Sequence, residues 1–437
     1  MSSEEKRRDL EGRYGSTGAV HEEEAVEIGG IDVSGHWNRM YDERVIDSYN
    51  SEMIDKVTQL DGGESLDYCY QCAQCIGVCP VDQAGGDYGP RKIYRRTELG
   101  IDFFESPDLW LCTTCQNCVR VCPKEVDMVD IAPAVREEAV LEGEAPDELE
   151  DMFGNVFQYG NPQGESAKKR AKWTRNVDVD VPILPRMDDP EPVEYLWYVG
   201  DFWSYHPRGI DAAGAMAVIL DALEVDYAIM GQEEKCDGDS QRLAGEPGLF
   251  EMLAEDNAEA MAKYEFDRIM VSGPHALNAF RNEYGDVVDD WDYETLHYTQ
   301  VLAPLMDQVE WETELDYRVT FHDPCYLGRH NGEYEAPREM LRAIPGVELV
   351  EMPRNREDGY CCGGGGGGMW LDGFADEYQD ERLSDNRMRE AANTDSDVLA
   401  VCCPYEVSRF EDSVKQVGVD MEVKDIVELV QEALGAA

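Results

Sequence analysis

The sequence has 437 residues, enough for two to four domains of ordinary size. It contains 93 acidic and 38 basic residues, so long-range repulsion excludes nucleic acid as a partner. The first residues lack the apolar segment of a signal peptide, and the longest apolar run, residues 212–220, is too short to span a bilayer. These features predict a cytoplasmic protein. A peripheral position at the inner face of the membrane is the alternative.

The acidity is spread along the whole chain and does not indicate disorder. Hydrophobic residues make up 43% of the sequence, as in folded proteins. The Lys-poor, Asp- and Glu-rich composition resembles that of proteins from halophilic organisms, which keep molar salt inside the cell and screen charges within about 3 Å. The 14 cysteines of this large intracellular chain indicate metal or redox chemistry rather than disulfides.

Eight cysteines form two runs of the same pattern, C-x2-C-x2-C-x3-C-P. This pattern is typical of bacterial ferredoxins with two 4Fe-4S clusters, in which the last Cys of each run binds the other cluster. The first cluster is therefore expected to bind Cys69, Cys72, Cys75 and Cys122. The second is expected to bind Cys112, Cys115, Cys118 and Cys79. A pair of zinc sites would have no need of this repeated spacing.

The segments around these runs read as helices and a connecting stretch. Residues 90–99 and 129–143 have helical patterns, and Arg136, Glu137 and Glu138 are expected on a solvated face of the second helix. Residues 144–192 mix Pro, Gly and charge, so we expect a linker. Its basic run at 168–173 is expected to be solvated, with docking of an acidic partner or anchoring to the protein's own surface as the alternatives.

From residue 193 onward, strand-like runs alternate with helix-like ones, which predicts α/β units. The expected strands lie near 195–199, 227–230, 268–271, 318–322, 348–352 and 398–401. The expected helices lie near 211–223, 247–263, 336–343, 376–391 and 425–434. Polar and reactive residues follow the strands directly, at the edge where α/β folds bind ligands.

The second half also contains a repeat. Asp201 and Cys236 are 35 residues apart, and Cys325 and Cys361 are 36 apart, with similar motifs around each position. The spacing indicates one unit used twice. Gly273 in the first unit corresponds to Cys403 in the CCPYE motif of the second.

The motifs HDPCYLGRH, CCGGGG and CCPYE of the second unit resemble the cysteine-rich CCG domain of the B-type subunits of heterodisulfide reductases. Relatives of these subunits include the iron-sulfur subunits of glycolate oxidase and of anaerobic glycerol-3-phosphate dehydrogenase. The ferredoxin-like region with its long spacer resembles the C-type subunits of the same reductases. Together the two resemblances cover residues 68–410 and match a natural fusion of the C-type and B-type chains.

The resemblance implies an α+β multidomain fold, in which a helical ferredoxin-type domain with two 4Fe-4S clusters precedes two tandem α/β CCG-type domains. The expected organisation is an acidic extension (1–55), the two-cluster domain (56–143), the linker (144–192), a degenerate CCG domain (193–310) and a cluster-binding CCG domain (311–437).

The resemblance also implies a third 4Fe-4S cluster, bound by Cys325, Cys361, Cys362 and Cys403. Glu406 stands where the family has a fifth cysteine, and Glu406 and Cys402 are additional candidate ligands. The glycine run that begins at Gly363 and Gly364 is expected to bring backbone N–H groups close to the cluster. The alternative is a flexible loop.

The first unit keeps one of the five family cysteines. Its positions carry Asp201, Cys236, Asp237, Gly273 and Ala276, so we expect no cluster there. His275 and His322 are expected to be structural histidines at turns, with tuning of a nearby cluster as the alternative.

The sequence contains no P-loop, dinucleotide fingerprint or hydrolase motif. The resemblance implies an electron-transfer subunit that receives electrons from a flavoprotein dehydrogenase or an electron-transferring flavoprotein and passes them to a membrane quinone-reactive subunit. The alternative is a disulfide reductase acting on a small thiol disulfide at the CCG cluster. A zinc scaffold without redox activity would leave eight ferredoxin-spaced cysteines idle. No catalytic residue is assigned.

Overall fold

The computed structural model describes residues 53–60, 62–86, 88–99 and 107–435, and the backbone of one hairpin near the N-terminus. In that hairpin β1 (Glu27–Ile28) pairs antiparallel with β2 (Ile31–Asp32). The chain divides into two compact units, residues 1–48 and 49–437, of which the second contains all other elements. Most of the predicted acidic extension lies outside the described residues.

The region of the two cysteine runs is helical. Its helices are Met53–Thr58, Gln74–Gly77, Pro80–Gln83, Pro90–Leu99, Asn117–Arg120 and Met128–Glu142. The predicted helix at 90–99 is confirmed, and the one at 129–143 is confirmed within one residue at each end. Asp127 starts the latter by accepting a hydrogen bond from the Val129 N–H, and Gly143 ends it with a φ of 82°.

The prediction of a solvated face on the helix Met128–Glu142 is wrong. Arg136 is 0% exposed and Glu138 3%, while Glu137 is half-buried. Glu138 pairs with Lys56. Charged residues normally indicate the solvent side of a helix, but here the partners come from segments distant in sequence, which helical periodicity does not reveal.

The segment 144–192 is more ordered than a linker. It contains the helix Asp147–Tyr159, whose buried side chains are Leu149, Met152, Phe153 and Val156. Within the basic run, Arg170 is buried and forms ion pairs with Asp201 and, at 2.7 Å, with Glu234. Trp173 is buried as well, whereas the lysines of the run are exposed. The run therefore anchors this segment to the protein's own surface.

Two parallel four-stranded sheets follow. The first contains β3 (Val193–Tyr198), β4 (Tyr227–Ala228), β5 (Phe266–Val271) and β6 (Thr295–His297), in the order β4-β3-β5-β6. The second contains β7 (Tyr317–Phe321), β8 (Val347–Leu349), β9 (Val398–Val401) and β10 (Glu422–Asp425), in the order β8-β7-β9-β10. Counted within each unit, both orders are 2-1-3-4. This agreement supports the repeat, although β6 and β10, each short and partly polar, were not predicted.

Helices connect the strands of both sheets. Those of the first unit are Asp201–Tyr205, Pro207–Ala222, Asp239–Leu243, Pro247–Met261, Pro274–Asn278, Tyr284–Val287 and Tyr298–Leu302. Those of the second are Ala336–Ala343, Asp372–Tyr378, Leu383–Ala392, Glu406–Val417 and Ile426–Ala433. The single helix predicted at 376–391 is wrong, because Gln379 and Arg382 adopt extended backbone and divide it into two.

The two α/β units, which contain the first and the second sheet, pack against each other over one apolar core. That core includes Leu196 and Ile269 of the first sheet and Val319 and Val398 of the second. Helices Pro207–Ala222 and Ile426–Ala433 are in contact, and Arg208 bonds Glu428 at 2.8 Å beside them. None of the helices in the described part of the chain has the length and apolar character needed to cross a membrane.

Candidate iron-sulfur sites

The first predicted cysteine set surrounds one partly open cavity of about 470 Å³. Its sulfur-bearing lining residues include Cys69, Cys72, Cys75 and Cys122. Cys72 is exposed, and the neighbouring Tyr70 has 57% of its surface exposed. The fourth cysteine of the second run therefore lies with the first three of the other run, and this cavity is close to solvent.

The second predicted set surrounds another cavity, of about 330 Å³. Its lining includes Cys79, Cys112, Cys115 and Cys118. Cys118 lines both cavities, so the two sets are adjacent. Burial raises the pKa of Cys79 to about 12 and holds the pKa of Cys118 well above its usual range. Ligation requires thiolates, so metal binding here would release protons.

The backbone of both runs has the same unusual conformation. Gln71 and Ala73 in the first run have φ values of 67° and 68°, and Thr114 and Gln116 in the second have 49° and 67°. Each such residue costs roughly 1–2 kcal/mol when it is not glycine. Alternating right- and left-handed residues direct successive N–H groups into one concavity that binds anions, including iron-sulfur clusters. The donors and the backbone both fit an anionic cluster.

A third group of cysteines meets where the second sheet contacts the second cysteine set. Cys325 follows β7 at its carboxyl end, and Cys361 and Cys362 come from the loop after β8. The pKa of Cys361 is well below its usual range because Cys115, Cys325 and Cys362 donate hydrogen bonds to its sulfur. Thus Cys115, a predicted ligand of the second cluster, touches the third group.

Backbone and side-chain hydroxyl groups support the sulfur of Cys361. The N–H of Gly363 donates to its Sγ at 3.3 Å, and Thr113 Oγ1 lies 3.4 Å from the same atom. Gly364 follows in the same loop, beside the Cys362 sulfur. N–H groups directed at sulfur are the support that a bound cluster requires.

The glycine run packs tightly against the second cysteine run, unlike the flexible loop considered as an alternative. A side chain at Gly365 or Gly366 would collide with the carbonyl oxygen of Thr113 or Cys112. Gly366 also has a φ of 61°. Glycine is required here because two backbones approach each other without room for a Cβ atom.

Arg136 ties three segments together at this junction. Its guanidinium donates to the carbonyl oxygens of Leu109, Cys112, Leu243 and Gly366 at distances between 2.7 and 3.1 Å. Leu243 belongs to the first α/β unit and Gly366 to the second. The residue that was expected in solvent thus connects both units to the second cysteine set.

Three further residues of the junction were missed from the sequence. Arg329 Nε donates to the carbonyl oxygen of Cys115 at 2.6 Å, His330 Nε2 lies 3.0 Å from the carbonyl oxygen of Thr114, and Tyr326 bonds the Thr114 hydroxyl at 2.7 Å. Burial lowers the pKa of Arg329, but the nearby cysteines outweigh it and the net shift is upward. The basic pair in CYLGRH, next to Cys325, was the available signal.

Cys403, Cys402 and Glu406 lie at the end of β9 but face different surroundings. Cys403 lines a cavity of about 390 Å³ between the two units, together with Asp201, Asp237, Gly273, Ala276 and aromatic side chains. Cys402 is fully buried in the apolar core. Glu406 lies near His322 and Cys362, with one oxygen 3.3 Å from His322 Nε2.

The titratable groups of this corner are shifted by burial. Burial raises the pKa of Glu406 well above its usual range and lowers that of His322 well below.

In the first α/β unit, Cys236 and His275 form hydrogen bonds with neighbouring side chains. Cys236 is buried and its Sγ donates to Gln241 Oε1 at 3.6 Å. His275 Nδ1 lies 2.6 Å from Asp239, and its ring stacks on Tyr326, as expected of a structural histidine.

Two family descriptions match this chain. The cysteine-rich domain called CCG matches residues 206–281 and 319–405, and the 4Fe-4S dicluster domain matches residues 65–126. The matches agree with the observed order of a cysteine-run region followed by two α/β units. They identify an iron-sulfur protein.

Curated relatives match most of the chain. A probable iron-sulfur-binding oxidoreductase, FadF, of Bacillus subtilis is 38% identical over 80% of this chain and 49% of its own length. The D-type subunit of the dihydromethanophenazine:CoB–CoM heterodisulfide reductase of Methanosarcina mazei is 32% identical over 85% of this chain and 94% of its own length. The EtfAB:quinone oxidoreductase of Syntrophomonas wolfei is 33% identical over 76% of this chain and 47% of its own length. The chain thus spans about half of two of these relatives.

A solved structure shares the fold. A hypothetical protein from Helicobacter pylori superimposes with a TM-score of 0.55 at 10% identity, over 88% of this chain and 75% of that one.

Proposed function

The chain belongs to the family of the D-type heterodisulfide reductase subunits and related iron-sulfur oxidoreductases, and from this premise we propose that it passes single electrons between a flavoprotein and a quinone-reactive partner. Two 4Fe-4S clusters would bind the two ferredoxin-spaced sets, and a third centre would bind at Cys325, Cys361 and Cys362, which lie together. Cys403, the fourth ligand predicted from the sequence, lines the cavity between the two α/β units. Bound iron-sulfur clusters supply one-electron exchange. We further propose that the domains are those predicted from the sequence: the two-cluster domain at 56–143 and the two CCG domains at 193–310 and 311–437.

One observation carries the proposal: the sulfur of Cys361 lies 3.4 Å from the hydroxyl of Thr113 in the second cysteine run, and Cys115 and Cys361 belong to one buried cluster. The three cysteine sets are therefore neighbours, the second between the first and the third. Cys118 lines the cavities of both the first and the second set. Electrons that reach either end have neighbouring centres along the whole route. No residue of these sets needs to move for the transfer.

The protein's own groups would hold the clusters and balance their charge. Arg329 is buried among Cys115, Cys325 and Cys361, where its positive charge offsets the negative charge of thiolate-bound clusters. Arg136 fixes the spacing of the junction through four backbone carbonyl groups. The first set, near exposed Cys72 and Tyr70, is the end where an electron-carrying partner would dock.

The nature of the partners is inferred from a relative. The protein named EtfAB:quinone oxidoreductase links, by its name, a flavoprotein to quinone. For this chain we therefore propose an electron-transferring flavoprotein or a flavoprotein dehydrogenase as one partner and a membrane quinone-reactive subunit as the other. Two electrons leave the reduced flavin one at a time, and quinone takes up both electrons with two protons. The chain itself would then work in the cytoplasm, at the inner face of the membrane.

A disulfide reductase is the second candidate, because this chain covers 94% of a heterodisulfide reductase subunit. The disulfide would have to bind at the cavity between the two α/β units, which Cys403 lines. Two electrons and two protons would convert one disulfide to two thiols there. Against it, the first unit lacks four of the five family cysteines.

The test uses anaerobically purified, reconstituted protein. We expect about twelve irons per chain, four for each centre. Mixing with reduced electron-transferring flavoprotein and freezing at successive times should show cluster signals by electron paramagnetic resonance. Cys361→Ser should remove the third signal alone, and Cys236→Ser, the matched control in the first unit, should change none. Thiol production from a disulfide with reduced viologen would instead support the second candidate.

Two outcomes would contradict the relay. A preparation that contains zinc and no iron would exclude redox function. Simultaneous loss of all signals in Cys361→Ser would show that the three sites are not separate.

A further inference from the structure

Glu406 stands where the family pattern has its fifth cysteine, and its carboxylate is buried beside the third cysteine set. It begins the helix Glu406–Val417 and is 1% exposed. An oxygen of Glu406, a ring nitrogen of His322 and the sulfur of Cys362 all lie within 4.8 Å of one another. Among the described residues, this group of metal-ligating side chains is the one that converges closely enough to surround a single ion.

The carboxylate has one oxygen without a partner. Oε1 lies 3.3 Å from His322 Nε2, whereas Oε2 is buried and forms no hydrogen bond with any described residue. Leaving a buried acceptor unpaired costs roughly 1–3 kcal/mol. A metal atom beside Cys362 would satisfy this oxygen.

His322 is held in a single tautomer by Arg387. Arg387 Nε donates to His322 Nδ1 at 3.0 Å, and a guanidinium can only donate, so Nδ1 carries no proton. The proton of the neutral ring is then on Nε2, which faces Glu406. Arg387 is itself fixed by Glu390 and by the carbonyl oxygen of Arg354, each at 2.8 Å. Nε2–H therefore faces the carboxylate at 3.3 Å, but it forms no hydrogen bond with any described residue.

The neighbouring cysteines of the CCPYE motif do not compete for this position. Cys402 is fully buried in the apolar core between the two sheets. The sulfur of Cys403 lines the separate cavity between the two units. Neither belongs to the group around Cys362.

We propose that Glu406 binds one iron atom of the third centre through a carboxylate oxygen, in place of the fifth thiolate, and that His322 is a positioning residue whose Nε2–H, 3.3 Å from Oε1, would donate to this carboxylate once it binds iron. The inference rests on the proposed function, because it requires an iron-sulfur centre at the third cysteine set. A carboxylate is a harder ligand than a thiolate. The iron that it binds differs electronically from its thiolate-bound neighbours.

The first experiment is Mössbauer spectroscopy of protein reconstituted with 57Fe. We expect one distinct iron subsite in the third centre, with a larger isomer shift than the thiolate-bound irons. Glu406→Cys should keep the iron content and remove the distinct subsite. Asp237→Asn, a half-buried carboxylate of the first unit at the position that corresponds to Cys362, is the control and should leave the spectrum unchanged. An unchanged spectrum in Glu406→Cys overturns the proposal.

The second experiment separates positioning from general structure. His322→Gln keeps an N–H donor near the carboxylate, and His322→Leu has the bulk but no donor. We expect the distinct subsite to persist in His322→Gln and to broaden or shift in His322→Leu, with equal iron content. Equal spectra for the two variants would contradict the positioning role.

The two levels of inference fail differently. About eight irons per chain and no third-centre signal would remove the third centre from the proposed relay, and this inference with it. About twelve irons with uniform thiolate-bound subsites would leave the relay intact and overturn only the role of Glu406.

Discussion

In the first CCG unit, the residue after the leading strand is Asp201, which is paired with Arg170; in the second unit, the corresponding residue is Cys325, which contacts Cys361. The two sheets have the same strand order. The two units thus share the sheet and differ in the residues at the strand ends. This difference shows that this α/β unit folds around either an internal ion pair or a cysteine set.

The polar groups of the two units also differ in how they are satisfied. In the first unit, Glu234 accepts from the N–H groups of Val199 and Gly200 as well as from Arg170. In the second, Glu406 Oε2 has no hydrogen-bond partner among the described residues, and its other oxygen is 3.3 Å from His322 Nε2. Glu234 of the first unit is thus paired within the protein, whereas Glu406 of the second leaves one buried oxygen that the proposed iron would bind.

The largest expected effect is on the first unit. Arg170→Leu would leave the buried carboxylates of Asp201 and Glu234 without their positive partner, which costs about 3–5 kcal/mol. We expect urea unfolding at constant salt to show this loss, with unchanged iron content in the protein that remains folded. If Arg170→Leu instead lost the third centre and kept its free energy of unfolding, the contrast drawn between the two units would be wrong.

Arg136→Met tests the contact that joins the two units. Four backbone carbonyl groups would lose a buried donor, and each unsatisfied group costs roughly 1–3 kcal/mol. Because protein relaxation recovers part of this, we expect a loss on the order of 3 kcal/mol in urea unfolding, together with an altered third-centre signal. Arg96→Met, at a partly exposed arginine of the same region that pairs with Asp108, is the control and should lose about 1 kcal/mol or less.

The carboxyl group of Asp237 makes the stability of the first unit depend on pH. Burial raises its pKa to about 7, whereas the unfolded chain loses this proton near pH 4. The folded state binds the proton more tightly, so this group's contribution to stability is largest below about pH 4 and falls as the pH rises to about 7. As the pH rises from 5 to 8, we expect the free energy of unfolding of Asp237→Asn to fall less than that of the parent protein, as measured by urea unfolding at each pH. A steeper fall in the variant would contradict the assignment.

The smallest expected effect concerns the glycine run. Gly366→Ala forces a side chain into the left-handed region and against Cys112, at a cost of roughly 1–3 kcal/mol. Gly248→Ala, in an open position of the first unit's helix Pro247–Met261, should leave thermal stability unchanged or raise it slightly. Equal behaviour of the two variants would show that the run is not tightly packed.

Much of this molecule could be predicted from the sequence because its signals are local. The cysteine runs, the helix Pro90–Leu99 and the alternation of strands and helices depend on spacing within a few residues. The repeat was visible because the spacing of Asp201 and Cys236 matches that of Cys325 and Cys361.

The tertiary structure alone decided which distant groups meet. Arg136 reads as a solvated residue on its own helix, yet it contacts carbonyl groups up to 230 positions away. The same is true of Cys115 beside Cys361 and of His322 beside Glu406. Local pattern records which side of an element is apolar, but the partners of a buried polar group are set by how whole elements pack. The sequence therefore determined the type of chemistry, and the fold determined which cysteines of different motifs lie close together.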